Sequence, residues 1–196
     1  PPTNEAPTTG ELLEDACFPN TTVLHSYFRM PGDPWRVDEW NAESALITGP
    51  VPGIAPFEGS AMLRVESAAA NASQVCQIVD VSALAPWIDT GAIVLNASVQ
   101  VTSAVPTTAP FLMVLAGDAQ DSLVGTLNPV GGSIVPGGNQ VVKAHTTDSN
   151  PASWETISLS MLVPPGTRFL QYEIAGTNAT IPAGGLFFDC GKLELL

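Results

Sequence analysis

Apolar and polar side chains alternate along residues 92–101: Ile93, Leu95, Ala97, Val99 and Val101 fall on one side of an extended chain, and Val94, Asn96, Ser98 and Gln100 on the other. A strand with one buried face is predicted there. Thr156–Val163 repeats the pattern, with Ile157, Leu159, Met161 and Val163 inward, and Pro164-Pro165-Gly166 ends it as a turn. Leu170, Tyr172 and Ile174 form a further inward row. Other predicted strands are Leu12–Phe18, Val23–Phe28, Ala45–Thr48, Ser60–Glu66, Gln74–Val81, Phe111–Leu115, Ser122–Leu127, Gln140–Ala144 and Leu186–Leu195. Asp80–Trp87 is the one stretch that reads as a helical turn, with Pro86 expected to stop it. Many short strands punctuated by Gly, Pro and Asn, and no long 3.6-residue period, predict an all-β antiparallel sandwich or barrel.

The chain has 196 residues, 45% of them hydrophobic and 13% charged, which suits one domain with its own core. Residues 1–11, opening PPTNEAPTTG, lack apolar periodicity and are predicted to form a Pro/Thr-rich arm, with 12–196 as the sandwich. Such an arm cannot offset its own ordering entropy, so an ordered arm would be held by its own domain or by a neighbouring subunit. The opening Pro1-Pro2-Thr3 carries no leader pattern, which leaves a processed secretory start and a cytosolic start both open.

A net charge of -13 removes the electrostatic attraction on which binding to nucleic acid or anionic lipid depends. The apolar runs, such as Phe111–Ala116, are far shorter than the roughly 20 residues of a membrane-spanning helix. No nucleic-acid or membrane partner is expected.

Candidate chemistry is sparse. The chain holds His25 and His145 and none of the G-x-S-x-G, H-E-x-x-H, G-x-x-x-x-G-K-[ST] or G-x-G-x-x-G patterns. Asp33, Asp38 and Glu39, beside Trp35 and Trp40, are the best acid/base candidates, against the simpler reading of a solvated acidic loop. No catalytic residue and no enzyme activity are predicted. Cys17, Cys76 and Cys190 give no metal-thiolate spacing; three buried thiols and a Cys17–Cys190 bridge are the two readings. Sequons at Asn20, Asn71, Asn96 and Asn178 are read as accidental.

Several segments, in order, resemble the jelly-roll sandwiches of the carbohydrate-binding-module and galactose-binding-like type, also found as accessory domains of bacteriophage virion proteins. They are Leu12-Leu13-Glu14-Asp15-Ala16-Cys17-Phe18, Trp40, Phe57 to Val65, Trp154 to Leu159, Pro164 to Arg168 and Phe188 to Leu193. The resemblance implies neighbouring first and last strands, which would bring Cys17 and Cys190 within bridging reach. It also implies a structural calcium held by Glu58 and Asp189, although Pro19 stands where relatives carry an acid. It assigns Trp40 and Trp154 to the core and leaves Trp35 and Trp87 as loop aromatics able to stack on a sugar, with Tyr27 and Tyr172 as lesser candidates.

Two functions are expected from this. The first is a non-catalytic assembly protein on a virus particle, decorating a capsid or a tail or fibre, as a homo-oligomer whose arm contacts subunits of its own or a neighbouring capsid or tail protein. The second is an extracellular carbohydrate-binding module. No cofactor is expected apart from the structural calcium.

Overall fold

A computed structural model describes residues 9–26, 36–67, 72–118, 140–148, 150–177 and 180–196. The described strands are β1 (Leu24–Ser26), β2 (Trp40–Ala42), β3 (Ala45–Thr48), β4 (Met62–Val65), β5 (Ala72–Asp80), β6 (Val94–Ser103), β7 (Pro110–Gly117), β8 (Gln140–Ala144), β9 (Glu155–Leu162), β10 (Phe169–Thr177) and β11 (Leu186–Leu195). They form a six-stranded sheet, β1-β2-β5-β10-β7-β8, and a five-stranded sheet, β3-β4-β11-β6-β9. Every pairing is antiparallel except β1 with β2, where Leu24 lies opposite Trp40 in parallel register. The molecule is the predicted jelly-roll sandwich.

The alternation that predicted β6, β9 and β10 also fills the interior. Leu95, Val99 and Val101 from one sheet meet Leu112, Val114, Leu170 and Ile174 from the other. Each such side chain removed from water contributes about 1.5–3 kcal/mol. Phe18, Trp40 and Tyr172 pack ring to ring at one end, with centroids 4.8 Å and 6.1 Å apart. Their polar groups are satisfied: the Tyr172 hydroxyl donates to the Ser98 carbonyl at 2.7 Å and the Trp40 indole to the Glu14 carbonyl at 2.9 Å. Trp154, half-buried, packs on a smaller cluster of Ile54, Met62 and Phe187.

Two predicted elements differ. Leu12–Phe18 is not a strand: its second half is a turn in which Asp15 and Phe18 take positive φ, 49° and 46°. The buried Gln77 side chain holds this turn, accepting from the Glu14 amide and donating to its carbonyl. Beyond β5, a 3-10 turn, Ser82–Leu84, leads into the one-turn helix α1 (Ala85–Ile88). Pro86 sits in the first turn of α1 and does not stop it, because an amide there has no partner within the helix anyway. The predicted strand Ser122–Leu127 lies outside the described residues, as do residues 1–8 of the arm.

The described end of the arm lies along its own domain. The Thr9 amide donates to the Leu195 carbonyl, the Leu12 amide to the Leu193 carbonyl, and the Glu11 carboxylate accepts from the Leu193 amide. Further along β11, pairing with β6 shifts register between Asp189 and Lys192. This bulge, with Cys190 at φ 43°, brings Cys190 against the turn at Ala16 and Cys17. Cys17 and Cys190 are joined there by a disulfide, while Cys76 is buried and free. Among the described residues no helix is long and apolar enough to cross a membrane.

Candidate functional site

Successive residues of a strand point to opposite faces, so the positions that skip the interior cluster identify the outer face of the six-stranded sheet. On β10 the interior takes Leu170, Tyr172 and Ile174, leaving Phe169, Gln171, Glu173 and Ala175 outward. Register then places neighbours: Glu173 lies between Cys76 of β5 and Met113 of β7, and Gln171 between Ile78 and Leu115. Asn41 of β2 is opposite Cys76, and Val142 of β8 opposite Met113. Cys76, Ile78, Met113 and Leu115 form a second apolar cluster on this face, joined by Val37, Phe111 and Phe169.

Polar groups are set into that apolar surface. Glu173 is 0%, Gln171 2% and Gln74 8% exposed. The Gln171 amide donates to Glu173 Oε2 at 2.6 Å. The other oxygens, Glu173 Oε1, Gln171 Oε1 and Gln74 Oε1, are buried without a hydrogen-bond partner. A buried polar atom left unpaired costs about 1–3 kcal/mol, so three on two adjacent strands are not expected of a purely structural sheet face.

Burial pushes the Glu173 carboxyl up to about 8; the Gln171 hydrogen bond opposes this and the nearby Glu43 carboxylate adds to it. Near neutrality Glu173 is therefore an uncharged acid whose Oε1 can donate as well as accept. Burial also raises Glu43, and burial with the charge of Glu173 raises the Cys76 thiol.

The sequence singled out other side chains. Trp35, Tyr27 and Asp33 are outside the described residues. Trp87, 36% exposed, sits on α1. Tyr172 is interior. Asp38 and Glu39 lie just before β2, and burial, helped by Glu14 and Asp80, raises the Asp38 carboxyl. His25 pairs with Glu39 at 2.9 Å and His145 with Glu155 at 3.1 Å.

The donor set at Glu58 and Asp189 does not fit a calcium ion. Asp189 Oδ2 accepts from the amides of Phe57 at 2.8 Å and Glu58 at 3.1 Å, and Oδ1 from the amide of Cys190 at 2.9 Å. Three N–H donors take three of the roughly four lone-pair sites of the carboxylate, which leaves it poorly placed as a calcium ligand. Glu58 Oε2 lies instead 3.6 Å from the sulfur of Cys190, which the disulfide removes as a thiolate ligand. Pro19 supplies no side-chain oxygen. Burial raises the Asp189 carboxyl to about 6, with the three amides pulling it down and Glu58 pushing it up. Asp189 fastens the segment at 57–58 to the β11 bulge.

Neither a protein-family model nor a curated protein matches this sequence. Solved structures do. A cyclase from Fischerella sp. TAU is 11% identical with a TM-score of 0.60, the match covering 97% of this chain and 98% of that one. A family 61 carbohydrate-binding module, solved with β-1,4-galactotriose, is 12% identical with a TM-score of 0.52, covering 94% and 98%. The enzymatically active domain of tailspike protein 4 from bacteriophage CBA120 is 15% identical with a TM-score of 0.51, covering 80% of this chain and 19% of that one. At such identities the likeness establishes the fold, which carries binding modules and enzymes alike.

Gln74, Gln171 and Glu173 were not singled out from the sequence. The signal for Gln171 and Glu173 was the polar row of β10, alternating with Leu170, Tyr172 and Ile174, which reads the same whether the row faces water or a ligand.

Proposed function

We propose that this chain is a non-catalytic carbohydrate-binding module, and that it holds glycan on the outer face of the six-stranded sheet through Gln74, Gln171 and Glu173. The observation that carries this reading is the trio of buried, unpartnered side-chain oxygens on β5 and β10. Sugar hydroxyls are donors and acceptors at once, and the C–H faces of a pyranose suit the flanking Phe111, Met113 and Phe169. The likeness to a carbohydrate-binding module across 94% of the chain supports the same reading.

The virion-assembly reading has less behind it. Its argument was the arm, whose described end, from Thr9 to Leu12, lies along β11 of its own domain. The tailspike likeness spans 19% of that protein.

The test is calorimetric titration of the full chain with galacto-, gluco- and xylo-configured oligosaccharides, alongside Gln74→Ala and Gln171→Ala variants whose folding is checked by circular dichroism. At least one oligosaccharide should bind, and each variant should bind it about two- to tenfold more weakly, the equivalent of one hydrogen bond. Absence of binding across the panel contradicts the reading. Release of reducing sugar from a bound oligosaccharide overturns its non-catalytic part.

A further inference from the structure

We propose that in its reduced form the chain holds a soft divalent cation such as zinc at the β11 bulge, between the thiolates of Cys17 and Cys190 and the carboxylate of Glu58. Among the described residues this is the one place where three such ligand atoms lie within 4.8 Å of one another. Glu58 Oε2 stands 3.9 Å from Cys17 Sγ and 3.6 Å from Cys190 Sγ. Neither sulfur of a disulfide carries a proton, so the carboxylate gains no hydrogen bond from either. A cation between the three atoms supplies the attraction that this contact lacks.

The distances suit zinc. Tetrahedral coordination with Zn–S about 2.3 Å and Zn–O about 2.1 Å sets sulfur and oxygen about 3.6 Å apart and the two sulfurs about 3.8 Å apart. Glu58 Oε2 already stands close to the first spacing from both sulfurs, and cleavage of the S–S bond frees the sulfurs to part to the second. Two thiolates select a soft or borderline cation over calcium, and water completes the fourth position. The three ligands are also held together without the bridge. The Gly191 amide donates to the Ala16 carbonyl at 2.8 Å, which ties the bulge to the turn. Gln77 of β5 holds that turn at Glu14. Asp189 accepts from the amides of Phe57, Glu58 and Cys190, so one carboxylate fixes the backbone at two of the three ligands. Cys17 and Glu58 are 41 positions apart and Glu58 and Cys190 132, so no motif announces the group.

Opening the site is a two-electron reduction. A phosphine supplies the electron pair that breaks the S–S bond; water supplies the two protons that the sulfurs take up and the oxygen that leaves as phosphine oxide. Zinc then displaces both thiol protons to solvent as the Zn–S bonds form. The bridge and the metal are alternatives at one place.

The experiment reduces the full chain with a phosphine and titrates it with cobalt(II) as a spectroscopic stand-in, then with zinc, while circular dichroism follows the fold. One cobalt per chain should bind with a thiolate-to-cobalt charge-transfer band, zinc should displace it, and about two protons per metal should leave at about pH 7. The oxidised chain should show no band, and Cys17→Ser or Cys190→Ser should abolish it. Glu58→Gln, which leaves both thiols in place, should weaken binding about tenfold or more. A reduced chain that keeps its sheet signal and gives no band overturns the proposal. Unchanged affinity in Glu58→Gln also overturns it, since the carboxylate would then be no ligand. So does a band that survives in Cys17→Ser, which would move the metal elsewhere in the chain. If reduction alone unfolds the sheet, zinc should restore it, with Glu58→Gln needing about tenfold more metal; a sheet that zinc does not restore counts against the site equally.

Discussion

Replacing Glu173 by Gln keeps the shape of the side chain and removes its titration, so it isolates what an acid buried on this sheet does to stability. Burial holds the folded-state carboxyl at about 8, against an ordinary glutamate value of 4.5. Between these values the folded chain holds a proton that the unfolded chain has lost. The group therefore favours folding most fully below the unfolded value, and that contribution disappears as pH rises through the folded one. The slope reaches about 1.4 kcal/mol per pH unit, and from about pH 5 to about pH 8.5 the wild-type chain should lose about 4 kcal/mol relative to Glu173→Gln. That is a large part of the stability of a domain this size. Asp189, raised to about 6, acts in the same direction at lower pH but is present in both proteins and drops out of the difference. Urea denaturation of both chains at four pH values gives the curves. Parallel curves would refute the reasoning, because Glu173 would then titrate alike in the folded and unfolded chain.

Other consequences follow from the same structure. The Cys17–Cys190 disulfide spans 173 residues of sequence, so the chain-entropy estimate for its loss is about 5 kcal/mol. Reduction, or replacement of both cysteines by Ser, should lower the melting temperature markedly, and an unchanged midpoint would count against the bridge as a staple. Gly185 has φ +89°, and a Cβ there would lie 2.9 Å from Arg64 Nε and 3.1 Å from the Val65 carbonyl oxygen. Gly185→Ala should cost about 1–3 kcal/mol in denaturant titration; a neutral result would mean the approach of β4 relaxes freely. Trp87→Ala should leave oligosaccharide affinity unchanged while Gln171→Ala weakens it, and the reverse outcome in calorimetry would move the binding surface to α1.

The sandwich was legible because its strands are amphipathic. Rows such as Leu95, Val99 and Val101 can be read with a period of two, and the structure buries them. The turn at 14–17 was not legible, because Leu12, Leu13 and Phe18 look like strand positions while the positive φ falls on Asp15 and Phe18, without a glycine to announce it. The candidate site was hidden for a different reason. Gln171 and Glu173 read as an ordinary polar row, and nothing local says that this row is buried against Met113 and Cys76 from distant strands. The calcium expectation came from position alone, whereas what Asp189 binds is decided by where the amides of Phe57, Glu58 and Cys190 point.

The central claim is tested most directly by a crystal structure of the chain with a bound oligosaccharide. The account predicts sugar over β5 and β10, with ligand atoms within hydrogen-bond distance of Gln74 Oε1, Gln171 Oε1 and Glu173 Oε1. Sugar seated instead against Trp87, or in the groove lined by Phe57 and Trp154, with those three oxygens untouched, would contradict it.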